Sequence, residues 1–212
     1  MGDWVLVIPV KRLTLAKTRL TSFAGPGRPA LALAFAADTV LAAVACSLVR
    51  GVVVVTDDPD AAAMAASLDA LVVADAPDSG LNPALVHGAA AALEAWPGTR
   101  VAALSSDLPA LVSDELELAL KTAEGPAQAF VADQEGTGTT LLTSATLHGF
   151  APAFGASSAK AHREYGAVEL DHPGLRTVRR DVDTEADLRE ALVLGLGPRT
   201  LERLALLPDL RG

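Results

Sequence analysis

The chain of 212 residues has little cysteine, few aromatics and a deficit of positive charge. Cys46 is the one cysteine, so no disulfide can close within the chain and no cysteine-rich zinc site can be built. It lies in an apolar helical run and reads as a buried structural thiol. That usage suits a reducing, cytoplasmic compartment. Aromatics are 4% of the residues, so alanine, valine and leucine must fill the core. The 17 Lys+Arg face 26 Asp+Glu, a net charge of -9, which argues against a nucleic-acid partner that needs a basic face. Met1-Gly2-Asp3-Trp4 lacks the basic start of a signal peptide. The one long apolar stretch, residues 30–49, carries Asp38 and Thr39 in its middle. A charge there is costly in lipid, so the stretch reads as a helix buried on a sheet and not as a membrane span.

Familiar phosphate and hydrolase signatures are also missing. No G-x-x-x-x-G-K-[ST] occurs, which excludes a P-loop. Gly136-Thr137-Gly138 lacks the third glycine of a dinucleotide fingerprint and does not join a first strand to a first helix. His87, His148, His162 and His172 are scattered, with no H-E-x-x-H and no serine-hydrolase signature. Lone histidines of this kind read as structural or surface residues.

What the chain does have is alternation. Apolar runs at 4–10, 51–56, 71–74, 100–105, 127–132, 138–143 and 176–182 read as strands. Helix-like segments separate them, at 29–49, 58–67, 81–95, 113–123, 159–168, 184–194 and 198–206. Asp58-Pro59 reads as an N-cap and first turn, and Thr184 with Asp187 as a capping box. Ser113, and Ser157 or Ser158, read as further caps. This order predicts one α/β domain over 1–212, a Rossmann-like, mostly parallel central sheet flanked by helices. The tail 195–212 is expected either to pack as a helical appendage or to make a subunit contact, as in a homodimer.

The most telling stretch is the loop after the first strand, where Lys11, Arg12, Lys17 and Arg19 crowd together in an acidic chain. In an open α/β sheet that loop lies at the carboxyl edge, where ligands bind. A polyphosphate ligand explains the cluster, and a solvated basic turn is the bland alternative. Asp107 follows the strand 101–104 at the same edge and suits Mg²⁺, although a turn aspartate before Leu108-Pro109 would look the same. Asp183 offers a partner carboxylate at a strand–helix junction. Asp181 rivals it on the same strand face, while Asp187 reads as a helix-end acid. Two aspartates, a divalent cation and a basic loop make a phosphoryl- or nucleotidyl-transfer constellation. Thr139-Thr140 and the run from Phe154 to Lys160 add small hydroxyls, a glycine and a lysine before a helix start, which can hold a carboxylate or phosphate.

Taken in order, these motifs resemble one family: 7–20 around Pro9, Lys11 and Lys17, Gly80-Leu81-Asn82-Pro83, Ser106-Asp107-Leu108-Pro109, Gly138-Thr139-Thr140, and Phe154-Gly155-Ala156-Ser157-Ser158-Ala159-Lys160. It is the guanylyltransferase family called CofC or FbiD, which makes the phosphodiester precursor of coenzyme F420. The resemblance runs to about residue 188 and implies a glycosyltransferase-A-like nucleotidyltransferase fold. It implies transfer of GMP from GTP to a small phosphorylated three-carbon acid, with loss of pyrophosphate. The acid is 2-phospho-L-lactate, phosphoenolpyruvate or 3-phosphoglycerate, and the alanine- and arginine-rich composition, like that of a high-GC actinobacterium, implies phosphoenolpyruvate. By the same resemblance Lys17 touches the GTP phosphates with Lys11, Arg12 and Arg19 around it, and Asp107 and Asp183 hold Mg²⁺. Thr140, Gly155 and Ser158 hold the acid, with Lys160 beside them. Gly80 and Asn82 lie near the nucleoside, and Asp75 is a further nucleoside candidate. Ser106 stands where the family pattern expects glycine. A molybdopterin or sugar-phosphate acceptor, or a binding module without catalysis, remains the alternative.

Overall fold

The computed structural model describes residues 2–76 and 78–207. The ends of the expected domain, residue 1 and residues 208–212, lie outside them. The strands are β1 Trp4–Pro9, β2 Val49–Val55, β3 Leu71–Val73, β4 Arg100–Leu104, β5 Gln128–Ala132, β6 Thr139–Ser144 and β7 Val168–Glu169. Helices α1 Thr21–Ala24 and α2 Arg28–Ala45 follow β1, and α3 Pro59–Ser67 follows β2. Then come α4 Leu81–Ala95, α5 Ser113–Thr122, α6 Ser158–Glu164, α7 Arg176–Arg179, α8 Glu185–Leu194 and α9 Pro198–Leu204.

One seven-stranded sheet runs in the order β3-β2-β1-β4-β6-β5-β7. β1 lies between β2 and β4, parallel to both, and β2 is parallel to β3. β6 is antiparallel to both its neighbours, β4 and β5, so the parallel half ends at β4. Strand alternation sorts the core onto two faces. Trp4, Leu6 and Ile8 pack with Ala36 and Val40 of α2 and Leu116 and Leu120 of α5. Val5 and Val7 pack with Leu85 and Ala89 of α4 on the other. Alanine-rich helices sit close to such a sheet, and Gly88 shows how close. A Cβ there would stand 2.4 Å from Val55 and 2.6 Å from Val7.

The cap at Asp58 is present: its Oδ1 accepts from the backbone N–H of Asp60 at 3.0 Å and of Ala61 at 3.2 Å. So is the Thr184–Asp187 capping box on α8. Asp38 explains itself as well. Its buried carboxylate accepts from the N–H groups of Arg199 (3.1 Å) and Thr200 (2.8 Å), capping α9 from across the fold. The stretch Thr18–Ala45 is apolar and long enough to cross a membrane by length and composition, with 56% of its most apolar window buried here.

Four expectations need correcting. Residues 176–182 do not form a strand. Residues 176–179 instead make the short helix α7, with Thr177 and Val178 buried, and irregular chain follows it. The edge beside β5 goes instead to β7, whose first residue, Val168, falls at the end of the helix expected over 159–168. The helix after β1 ends at Ala45, and Val49 already belongs to β2. Ser113 is the first residue of α5, and Val112 precedes it as cap. The expected cap at Ser157 is at the start of α6, in the left-handed conformation and without a side-chain bond.

Candidate active site

The basic segment after β1 folds into tight turns because two side chains hold its backbone. Arg28 donates to the carbonyls of Leu13 (3.4 Å), Thr14 (2.8 Å) and Ala16. Asp58 Oδ2 accepts from Leu13 N–H at 2.9 Å. Lys17 then takes a left-handed conformation, φ 53°, uncommon for a residue with a Cβ. Its ammonium turns inward and donates to Asp107 Oδ2, and to Asp183 Oδ1 at 2.6 Å. Arg19 Nη1 lies 3.7 Å from the other oxygen of Asp183. Burial alone would weaken the Lys17 charge, but the Asp107 and Asp183 carboxylates outweigh it and hold its pKa well above the ordinary lysine value.

Each aspartate is held from behind. The loop after β4 is anchored by Leu108 N–H on the hydroxyl of Thr39, 3.1 Å away. The carbonyl of Asp107 accepts from Val182 N–H at 3.0 Å, bringing the 181–183 segment alongside. Asp187 Oδ2 accepts from the N–H groups of Asp183 (3.1 Å) and Thr184 (2.8 Å). The capping box of α8 thereby also sets the pose of Asp183.

Three carboxylates share this corner with Lys17. Burial, and then the negative charge of Asp107, push the Asp181 carboxyl up to about 7 despite Lys17. Burial of Asp183 acts the same way, but Lys17, Arg19 and Lys11 hold it below the usual carboxylate range. Asp107 Oδ1 is buried with no hydrogen-bond partner. An orphaned carboxylate oxygen, surplus negative charge and hard oxygen donors fit a divalent cation such as Mg²⁺.

Two cavities of ≈ 260 and ≈ 670 Å³ adjoin at this corner and share Leu81, Ser105, Asp107, Phe154 and Asp183. The smaller is walled by β1, the basic segment and α2. The larger is walled by Thr139, Gly155, Ser157 and Ser158, and by Asp133 and Asp181. Its loop is fastened by Asn82, whose amide pairs with both backbone groups of Phe154, at 2.8 and 3.1 Å.

The sequence as a whole has known relatives. A model of the family described as "Guanylyl transferase CofC like" matches residues 4–207. The chain belongs to this family. A phosphoenolpyruvate guanylyltransferase from Thermomonospora curvata is 56% identical over 205 residues, 97% of this chain and 90% of that protein. One from Streptomyces coelicolor is 56% identical over 199 residues, covering 93% and 94%. Solved nucleotidyltransferases share the fold. A 4-diphosphocytidyl-2C-methyl-D-erythritol synthase superimposes with a TM-score of 0.61 at 13% identity, over 92% of this chain and 99% of that one. A cytidylyltransferase from Leptospira borgpetersenii gives 0.58 at 12% identity, over 97% and 94%.

In this CofC-like chain Lys17, Asp107 and Asp183 come together as expected. Lys11 lines the smaller cavity, and Arg19, Gly155 and Ser158 the larger. Others stand elsewhere. Arg12 is exposed and lines neither cavity; Lys160 is exposed, 3.8 Å from Glu164 on its own helix. Gly80 (φ 102°) is the cap of α4, next to the lining residue Leu81. Asp75 stands with Asp57 and Asp78, their carboxylate oxygens within 4.8 Å of one another, outside both cavity walls. Thr140 is passed over where the β5–β6 register slips, and its hydroxyl turns to the Val131 carbonyl at 3.5 Å. Its neighbour Thr139 takes the cavity wall instead. Thr139 and His162 are the residues that sequence reasoning undervalued, since a bulge and a contact between distant segments leave no local pattern.

Proposed function

We propose that this chain transfers GMP from GTP to phosphoenolpyruvate, releasing pyrophosphate and giving enolpyruvyl-2-diphospho-5'-guanosine for coenzyme F420 biosynthesis. The observation that carries the reading is Lys17 held between Asp107 and Asp183, where the two cavities meet. The name of the 56% identical relatives supports phosphoenolpyruvate as the acceptor. These are cytoplasmic metabolites, which puts the reaction in the cytoplasm.

An oxygen of the acceptor phosphate forms the new bond to the α-phosphorus of GTP. The bond from that phosphorus to the α–β bridging oxygen breaks, and its electron pair leaves on pyrophosphate. The acceptor phosphate is already an anion at neutral pH, so the chain needs no general base. Its task is to bring two polyanions together in line and to balance the charge that builds on the leaving group. Lys17 would meet the GTP phosphates, with Lys11 and Arg19 on either side. Gly155 and Ser158 would receive the acid from the opposite wall, with Thr139 in the place expected for Thr140. Asp107 and Asp183 would hold Mg²⁺, Asp181 beside them, and when bound the ion supplies charge neutralisation and orientation of phosphate oxygens.

The test is pyrophosphate release from GTP and Mg²⁺ with phosphoenolpyruvate, 2-phospho-L-lactate and 3-phosphoglycerate supplied separately. Release with phosphoenolpyruvate is expected. Release only with another acid would reassign the acceptor, and release with none from folded protein would overturn the reading.

A further inference from the structure

His162 of α6 is buried beneath the acceptor wall, 1% exposed, and has a role that the transfer chemistry above does not use. Its ring packs edge-on to Phe154, with centroids 5.5 Å apart, and lies 5.7 Å from Phe130. Both ring nitrogens are engaged. The backbone N–H of Ala153 points at Nε2, 3.0 Å away, and the Thr139 hydroxyl oxygen lies 2.9 Å from Nδ1.

These two contacts fix the proton. A backbone N–H can only donate, so Nε2 accepts and carries no hydrogen. The neutral ring must then hold its proton on Nδ1 and donate it to Thr139 Oγ1. Burial supports neutrality, pushing the imidazole pKa down to about 4. Thr139 Oγ1 therefore accepts from the histidine and its own O–H must point elsewhere. No other described side chain or carbonyl takes that hydrogen. Thr139 lines the larger cavity, so the cavity is where its proton can go.

Building on the guanylyltransferase reading, we propose that His162 is a positioning residue that locks the Thr139 hydroxyl as a hydrogen-bond donor to the anionic three-carbon acid. A free threonine hydroxyl can donate or accept. Beside a bare Nδ1 the threonine would spend its proton on the ring; beside an Nδ1–H it keeps that proton for the cavity, where an anionic oxygen is the best acceptor. The same histidine holds the 153–158 loop through Ala153, so one side chain both seats the loop and sets its hydroxyl neighbour.

The test pairs conservative variants. Thr139→Val should raise KM for phosphoenolpyruvate at least ten-fold and leave KM for GTP within two-fold, while Thr139→Ser stays within three-fold of the parent for both. His162→Asn retains a donor near the Nδ1 position and His162→Gln an acceptor near Nε2. The Asn variant should keep the acid KM closer to the parent than the Gln variant. Equal changes for both substrates, or no difference between Asn and Gln, would reduce His162 to a structural role and overturn the proposal. Where a variant does not fold, ¹⁵N NMR of the parent decides: the Nδ1–H tautomer at pH 7 is expected. An Nε2–H tautomer or an imidazolium overturns the proposal. Parent protein inactive with all three acids would instead overturn the functional reading, an outcome that the tautomer measurement keeps separate.

Discussion

Replacing Lys17 with methionine keeps much of the buried stem and removes the ammonium between Asp107 and Asp183. Lys17 has its pKa raised in the folded chain, so its contribution is fully present below the unfolded value of 10.5 and is lost only above the folded value. Asp183 has its pKa depressed, so its contribution is present above 3.8 and fades as pH falls below that. The pair is thus intact from about pH 4 to pH 10. In the variant Lys17 no longer offsets Asp181, already pushed up to about 7 with Lys17 present, and its repulsion with Asp107 and Asp183 grows as pH rises. Each carboxyl pKa raised by one unit costs roughly 1.4 kcal/mol when ionised. With Asp183 half exposed and screened, roughly 1–2 kcal/mol of stability is lost at pH 8, and the part owed to Asp181 fades near pH 5 while the smaller part owed to the Asp183 pair remains down to about pH 4. Urea unfolding at both pH values, in chelator and in millimolar Mg²⁺, would measure it. The loss at pH 8 should be largely restored by the metal. A loss that is equal at both pH values and indifferent to Mg²⁺ would refute the account of Lys17 as an internal counter-ion.

Other perturbations follow from the same geometry. Asp107→Asn keeps the size of the side chain and removes its charge; turnover should fall about a thousand-fold with an unchanged far-UV spectrum, and activity near the parent's would refute its assignment. Asp38→Ala leaves two N–H groups at the start of α9 without an acceptor. A loss of roughly 2–4 kcal/mol in chemical denaturation is expected, and a loss under about 1 kcal/mol would show the cap to be dispensable. His162 has its folded pKa lowered to about 4 from 6.5, so the unfolded chain takes up the proton first as pH falls. That group alone should cost roughly 3 kcal/mol of stability between pH 6.5 and 4, a slope that His162→Gln should remove.

Much of this was legible where the signal is local. The β-branched run of β2, the Asp58-Pro59 start of α3 and the Thr184–Asp187 box each rest on residues within a few positions of one another, and each is present. Lys17 and Asp107 were legible because the carboxyl edge of a parallel sheet gathers the loops that follow its strands. Residues 176–182 misled because their apolar spacing imitates a strand while the edge beside β5 is already taken by β7. Thr139 could not be told from Thr140, since the slip between Val131 and Ala132 that decides which faces the cavity depends on pairing with another strand. The partners of Asp38 and His162 are likewise set by tertiary contacts, Arg199 and Thr200 for one and Thr139 and Ala153 for the other.

Asp38 and Thr39 are consecutive on one turn of α2, yet their partners lie far along the chain. Thr39 anchors the loop that carries Asp107, and Asp38 caps a helix that begins some 160 positions later, while Gly197 N–H bonds to Pro109 O at 2.8 Å. During synthesis the first half of the sheet can assemble early, but this turn keeps an unmet carboxylate until residues 199 and 200 have left the ribosome exit tunnel. A nascent chain halted before that point would carry the Asp107 loop without the Gly197–Pro109 bond that ties it to the C-terminal segment. Ribosome-stalled intermediates should therefore gain affinity for a divalent ion late and abruptly, once α9 docks.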